Sequence, residues 1–542
     1  MRIVTGLAAS GKTSMLLREI AEKAEANRGR QILLVPELNS HQMERRLAAA
    51  THNHGARTAE VLTFSRLADR VFAVVGGLAQ QMLTPAGQLL TLQEAARRVQ
   101  VGLTAWGGLA DKPELLSETL ALIDECKSCM IEPEMLFRAS EESALDEDAA
   151  LSAKLCDLAQ ILTQYDSLCE ETLPDPRDRL THLRDGLAES HVLDGAEVYL
   201  DGFLSYTPQE LAIIEVMLSS GVPLTAAVTC DVELPDVFVT GCRTLRTLTR
   251  MAERCSRRPE LVDLGAGKMP RPAGLAAVAN EALLPVRQAH EDASGVRLYE
   301  AASPFDECEH AAAYIRRKVR DEGAHFRDFV IAARDIGPYS ASLAMAMGRY
   351  DIPMFLADKP DLLSRPPMAL VIGALESVRS NFGCRELFGC LKTGLTGLAW
   401  DEIDRLENYA ITWKIHGAAW ERDWVEHPDG YGIPVDEAAQ AQLDELNELR
   451  ARAIAPFAAL RERLKGEQPS AECVRALYDF LLAVDAPRRM EERAAEHDAA
   501  GRLQLADEYR QLWEILVSAM EQFAWVRGDM PLTLDRFAQL FR

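Results

Sequence analysis

The feature that most constrains this chain is a glycine–lysine pattern close to its start. A short apolar stretch at Ile3 and Val4 runs into Gly6-Leu7-Ala8-Ala9-Ser10-Gly11-Lys12-Thr13, and a helix-forming run from Ser14 to Ala26 follows. Strand, glycine-bounded loop and helix in that order are the setting of a phosphate-binding P-loop. Gly6 and Gly11 let the backbone curl into a nest of N–H groups, and the helix adds its N-terminal dipole. Lys12 neutralises the outer phosphates, and the Thr13 hydroxyl is suited to Mg²⁺. Gly6 to Thr13 are therefore expected to hold ATP with magnesium. The competing reading, a turn that happens to contain two glycines, explains neither the strand before it nor the helix after it.

The chain has 542 residues, and single hydrophobic cores stop growing at roughly 250–300 residues, so several lobes are expected. A hydrophobic content of 48% with 26% charged residues describes an ordinary globular protein. No run of ~20 apolar residues offers a membrane span, and a P-loop beginning at residue 6 leaves no space for a cleavable signal. Eleven cysteines are scattered without a framework, so reduced thiols and a cytoplasmic location are expected. The net charge of −24 excludes a generally basic coat for nucleic acid. It does not exclude a local DNA groove, because counterion release depends on the contacting Lys and Arg alone.

Along the chain, Gln31 to Val35 is a continuous apolar run of buried-strand length, closed by Pro36. Asn39 or Ser40 can cap a helix reaching Ala50, and Val61 to Thr63 forms a third strand candidate feeding a helix over Phe64 to Phe72. Alternating strands and helices predict a parallel α/β sheet. From about Thr84 to Ala188 the periodicity is helical. Strands are expected again at Glu197–Asp201 and Leu224–Val228, separated by a helix from Pro208 to Ser219. Gly265 to Gly274 reads as a linker. A second α/β unit is expected from a strand at Val296–Glu300, a helix over Glu307–Glu322 and a strand at Asp328–Ala333. After Asp361 the pattern is helical to Arg542, where the run stops mid-helix, which suggests a cut chain.

Asp201, at the end of a strand downstream of the P-loop, is placed to hold Mg²⁺. The next residue is Gly202, which has no side chain to orient or activate a water, so no residue is assigned to catalysis. Arg334, just after a strand candidate, is suited to reach a γ-phosphate. Cys126-x-x-Cys129 invites a metal reading, but no second pair of ligands follows, and buried helical thiols account for it better.

Several segments together resemble a known family: Gly6 to Thr13, Leu33-Leu-Val-Pro-Glu37, Thr63-Phe64-Ser65-Arg66-Leu-Ala68, Tyr199-Leu-Asp-Gly-Phe203, Tyr206-Thr-Pro-Gln-Glu210 and Leu406-Glu-Asn-Tyr409. In order and over nearly the whole length, the chain is similar to the B subunit of AddAB/RexAB-type ATP-dependent helicase–nucleases, the RecBCD-like machines that process double-strand DNA breaks. The resemblance implies an α/β fold of P-loop NTPase (RecA-like) parallel-sheet domains with large helical insertions. Residues 1–78 with 190–290 would form the first such domain, 79–189 a helical insertion, 291–360 the start of a second domain, and 361–542 another helical insertion. Thr63, Phe64, Ser65 and Arg66 fall where UvrD/Rep-type motors contact DNA, with Ser65 replacing a histidine. Asp201-Gly202-Phe203-Leu204 falls where those motors carry Asp-Glu-Phe-Gln.

The family pattern implies a heterodimer in which the other chain, the A subunit, translocates. It also implies single- and double-stranded DNA as partners, and recognition of the recombination hotspot Chi. Full-length members further carry a nuclease domain and a 4Fe–4S cluster, for which no ligands are assigned in this chain. Leu7-Ala8-Ala9 departs from the more polar, glycine-containing loop usual in the family. Two other readings stand beside this one. A P-loop transferase or kinase would be a more compact chain, and a scaffold with a vestigial nucleotide site would be indifferent to Lys12→Ala.

Overall fold

The computed structural model describes residues 1–52, 58–146, 148–265, 271–281, 289–356 and 365–541. Its main sheet is built from β1 (Arg2–Gly6), β2 (Arg30–Leu34), β3 (Ala59–Leu62), β4 (Ala196–Leu200), β5 (Leu224–Thr229) and β6 (Glu260–Asp263). The order across it is β3-β2-β4-β5-β1-β6, and every pairing is parallel. Parallel strands need crossovers. Among them are α1 (Lys12–Glu25), α2 (Ser40–Ala50), α3 (Phe64–Val75), α9 (Pro208–Ser219) and α10 (Val239–Arg254), while the crossover from β3 to β4 is expanded into α4 (Pro85–Val99), α5 (Pro113–Ser128), α6 (Pro133–Leu145), α7 (Ala149–Glu171) and α8 (Arg179–Ser190). The central strands are apolar throughout because helices cover both faces. Ile3, Ile32, Leu34, Val198, Leu200, Ala226 and Val228 face one core, and Val4, Leu33, Tyr199 and Ala227 the other.

The chain divides into two compact units: Met1–Met269 with Pro366–Arg542, and Pro270–Arg365. In the first unit the sheet is joined by α14 (Pro366–Arg379), α15 (Cys384–Leu391), α16 (Trp400–Thr412), α17 (Glu437–Arg463), α18 (Ser470–Ala483), α19 (Ala486–Ala499), α20 (Leu503–Arg527) and α21 (Leu534–Phe541), with a short antiparallel pair β7 (Glu467–Pro469) and β8 (Pro531–Thr533). The two helical regions lock together. Gln522 accepts from the Thr84 amide and hydroxyl at 2.7 Å, and buried Arg527 pairs with Glu94 at 3.2 Å. The second unit holds α11 (Ala273–Glu281), α12 (Pro304–Glu322) and α13 (Ser340–Arg349), with a small core of Cys308, Ala312, Ile315, Leu343, Ala346 and Met347.

The strands expected at residues 31–35, 61–63, 197–201 and 224–228 form within a residue or two. Those expected at Val296–Glu300 and Asp328–Ala333 do not. Both segments pair with no strand among the described residues, and Leu298 and Val330 lie 99% and 90% exposed. An apolar run becomes a strand only when another backbone takes up its hydrogen bonds, and this unit offers helices instead. Among the elements not anticipated are α10, β6, α13 and the short pair β7 and β8; the edge strand β6 is short and bounded by Glu260 and Asp263. Part of the expected linker, 266–270, lies outside the described residues.

Candidate functional site

At the C-terminal end of the sheet a cavity of about 440 Å³ opens between β1, β4 and β5. Its floor is the loop from Ala8 to Thr13, one wall is Asp201, Gly202, Phe203 and Leu204, another is Ala227 and Thr229 of β5, and Arg46 of α2 enters from the side. Because β5 separates β1 from β4, the loop and Asp201 face one another across one strand's width rather than colliding.

The loop conformation follows from its residues. Gly6 adopts φ +148°, and a Cβ there would stand 2.6 Å from the Ser10 hydroxyl oxygen, so only glycine fits. Gly11 caps α1 in the left-handed region at φ +95°, and no side chain caps that helix or places a negative charge in its first turn. The N-terminal amides of α1 are thus left for an anion. Ala9 also sits at φ +60°, a conformation unfavourable for a residue with a Cβ. From behind, the turn after β6 braces the loop: the Leu7 amide donates to the Gly265 carbonyl at 3.2 Å, and Asp263 accepts from Thr5 and from the Gly265 amide.

Lys12 is buried, and its ammonium donates to the carbonyls of Gly6 and Leu7 at 2.8 Å each. Burial lowers its pKa, with Asp201 only partly opposing the shift. Asp201 is 4% exposed. Burial raises its pKa, while hydrogen bonds from Thr13 and the Gly202 amide and the charges of Lys12 and Arg46 act the other way. Its Oδ2 is buried without a hydrogen-bond partner among the described residues. An orphaned carboxylate oxygen beside Thr13 and facing the loop is what a divalent cation at this position would use, so Thr13 and Asp201 fit Mg²⁺. Gly202 adopts φ +85°, and a Cβ on it would meet the Asn39 amide nitrogen and the Pro36 ring at 3.3 Å.

The other expected site residues separate. Thr63 is buried and caps α3 by accepting from the Arg66 amide. Phe64 is 5% exposed and packs edge-on against Phe203, ring centroids 5.7 Å apart. Both side chains are committed to the fold, whereas Ser65 and Arg66 are exposed and Arg66 pairs with Glu44 of α2. Arg334 belongs to the second unit, in an exposed bend. Cys126 is buried in the helical core with its thiol pKa raised by that burial, and among the described residues no group of three His, Cys, Asp or Glu is arranged for a metal. Arg46 escaped the sequence reading. Its signal was the phase of α2, where buried Met43 and Leu47 fix which side of a helix starting at the strand ends faces the cavity.

Compared with known proteins, residues 3–268 match the family model described as ADDB, N-terminal. The whole chain is similar to proteins named as the B subunit of an ATP-dependent helicase/deoxyribonuclease. It is 29% identical to the one from Acetivibrio thermocellus over 572 aligned residues, 32% to that from Desulforudis audaxviator over 569, and 30% to that from Desulforamulus reducens over 563. All of this chain is covered in each comparison but 48% of each relative, so the chain spans about half the length of the curated relatives it matches.

Proposed function

We propose that the chain belongs with the ATP-dependent helicase/deoxyribonuclease B subunits to which its whole length is similar, and that it is the nucleotide-holding, DNA-contacting part of such a protein, binding Mg–ATP without driving its hydrolysis. One observation carries the reading. The glycine-bounded loop with Lys12 and the unpaired oxygen of Asp201 share one cavity, while the residue beside Asp201 is a glycine in a left-handed conformation.

In this reading the loop amides and the α1 N-terminus hold the phosphates, and Lys12 leaves its loop carbonyls for a phosphate oxygen, a stronger acceptor. Thr13 and Asp201 would hold Mg²⁺, which supplies charge neutralisation of the phosphates. Gly202 offers no group to orient or deprotonate a water, so binding outlasts catalysis. The relatives' name supports a partner chain. By family resemblance this is the translocating A subunit, the substrate is broken duplex DNA, and Ser65 and Arg66 are the exposed candidates for a strand contact. Among the described residues no helix is long and apolar enough to cross a membrane; the proposal places the chain in the cytoplasm with its DNA.

The test is calorimetric titration of the chain with Mg–ATP, beside a phosphate-release assay with and without single-stranded DNA. Binding that Lys12→Ala weakens at least about 10-fold, with turnover near background, is the expected pair of results. Robust DNA-stimulated hydrolysis would overturn the idea of a clamp.

A further inference from the structure

The side chain of Arg46 takes no part in the buried face of α2. Of its neighbours on α2, Met43 and Leu47 are buried, and Glu44 pairs with Arg66. Arg46 is exposed and makes no hydrogen bond or ion pair among the described residues. Yet it lines the same cavity as Lys12, Thr13 and Asp201 and is close enough to Asp201 for its charge to act on that carboxylate.

The geometry of the cavity sets what a guanidinium there meets. The loop and the N-terminus of α1 follow the C-terminal end of β1, and a polyphosphate seated on them shares its cavity with the residues that follow β4. The first of those residues are Asp201 and Gly202, and that is the side from which Arg46 enters. Arginine suits this position because its planar, permanently charged fork binds phosphate oxygens in pairs.

We propose that Arg46 is a positioning residue for the terminal phosphate, through which this cavity selects a nucleoside triphosphate over a diphosphate. The inference rests on the nucleotide-clamp reading above. It adds that the clamp senses the γ-phosphate from α2.

The experiment is calorimetric titration of the chain with Mg–AMP-PNP and with Mg–ADP, comparing the parent protein with Arg46→Ala, Arg46→Lys and Lys12→Ala. Arg46→Ala should weaken AMP-PNP about 10-fold while leaving ADP within about two-fold, and Arg46→Lys should fall between. Lys12→Ala should weaken both nucleotides. Loss of affinity for both nucleotides in Arg46→Ala, or for neither, overturns the role given to Arg46 while the clamp stands. A parent protein that binds neither nucleotide overturns the clamp itself and this inference with it.

Discussion

Two buried lysines in the first unit have opposite surroundings. Lys127, at the end of α5, has a side chain 8% exposed and is ringed by Asp166 at 2.7 Å, Asp178 at 2.8 Å and Asp175 at 3.8 Å. Asp175 is further held by Tyr165 and Gln88 at 2.9 Å. Burial works against the charge of Lys127, but the carboxylates overcome it and raise the pKa. Lys12 is buried too, but its ammonium donates to two carbonyls and the Ser10 hydroxyl and to no carboxylate, and burial lowers its pKa. The first lysine has all its counter-charge within the fold, whereas the second is held in a state that an incoming anion improves. Buried charge thus marks a ligand site only where the protein leaves it under-compensated.

Replacing each lysine should separate the two roles. Lys127→Met leaves three carboxylates around a vacated charge, and removing one partner of a buried pair costs about 3–5 kcal/mol. Denaturant unfolding should show that loss, with Mg–ATP affinity unchanged in the fraction that remains folded. Lys12→Met should do the reverse, keeping stability within about 1 kcal/mol while nucleotide affinity collapses. Equal stability losses in the two variants would erase the distinction.

A smaller effect with opposite signs follows from pH. The folded pKa of Lys127 lies above its ordinary value of 10.5, so its stabilisation is complete below about 10.5 and is lost as pH rises through the folded value. The folded pKa of Lys12 lies below 10.5, so its burial is a cost at neutral pH that is relieved as pH rises through that lower value. On the alkaline side the stability of the parent relative to each methionine variant should therefore move in opposite directions, falling against Lys127→Met and rising against Lys12→Met. Parallel curves would mean that neither lysine is perturbed as described.

How much of this was legible in the sequence depends on how local the cause is. The glycine-bounded loop between β1 and α1, the central strands and the place of Asp201 at a strand end could be read directly, because glycine spacing, apolar runs and a helix start are contiguous signals. Edge strand β6 could not be, since Leu261 is 58% exposed and only two apolar residues stand between Glu260 and Asp263. The second unit misled for the opposite reason: its apolar runs at 296–300 and 328–333 look like strands, but pairing is a property of the neighbour. The contacts of Gln522 with Thr84 and of Arg527 with Glu94 join residues more than 430 positions apart, and nothing in either segment announces the other. Phe64 shows a further limit, for its edge-on packing against Phe203 joins two segments, neither of which announces the other.

The smallest expected effect bears most directly on the difference between a clamp and a motor. If the missing carboxylate were all that separated the two, Gly202→Glu should restore hydrolysis. The backbone argues otherwise. At φ +85° a residue with a Cβ is strained by about 1–2 kcal/mol, and that Cβ presses on the Pro36 ring at 3.3 Å. Arg46 lines the same cavity and would pair with the new carboxylate, removing it from any water. Gly202→Glu should therefore unfold slightly earlier in denaturant and still release phosphate at the background rate with DNA present. Gly202→Ala should show the same stability loss without the new charge. Recovery of DNA-stimulated turnover in Gly202→Glu would mean that the site had kept its catalytic geometry and lost only one side chain.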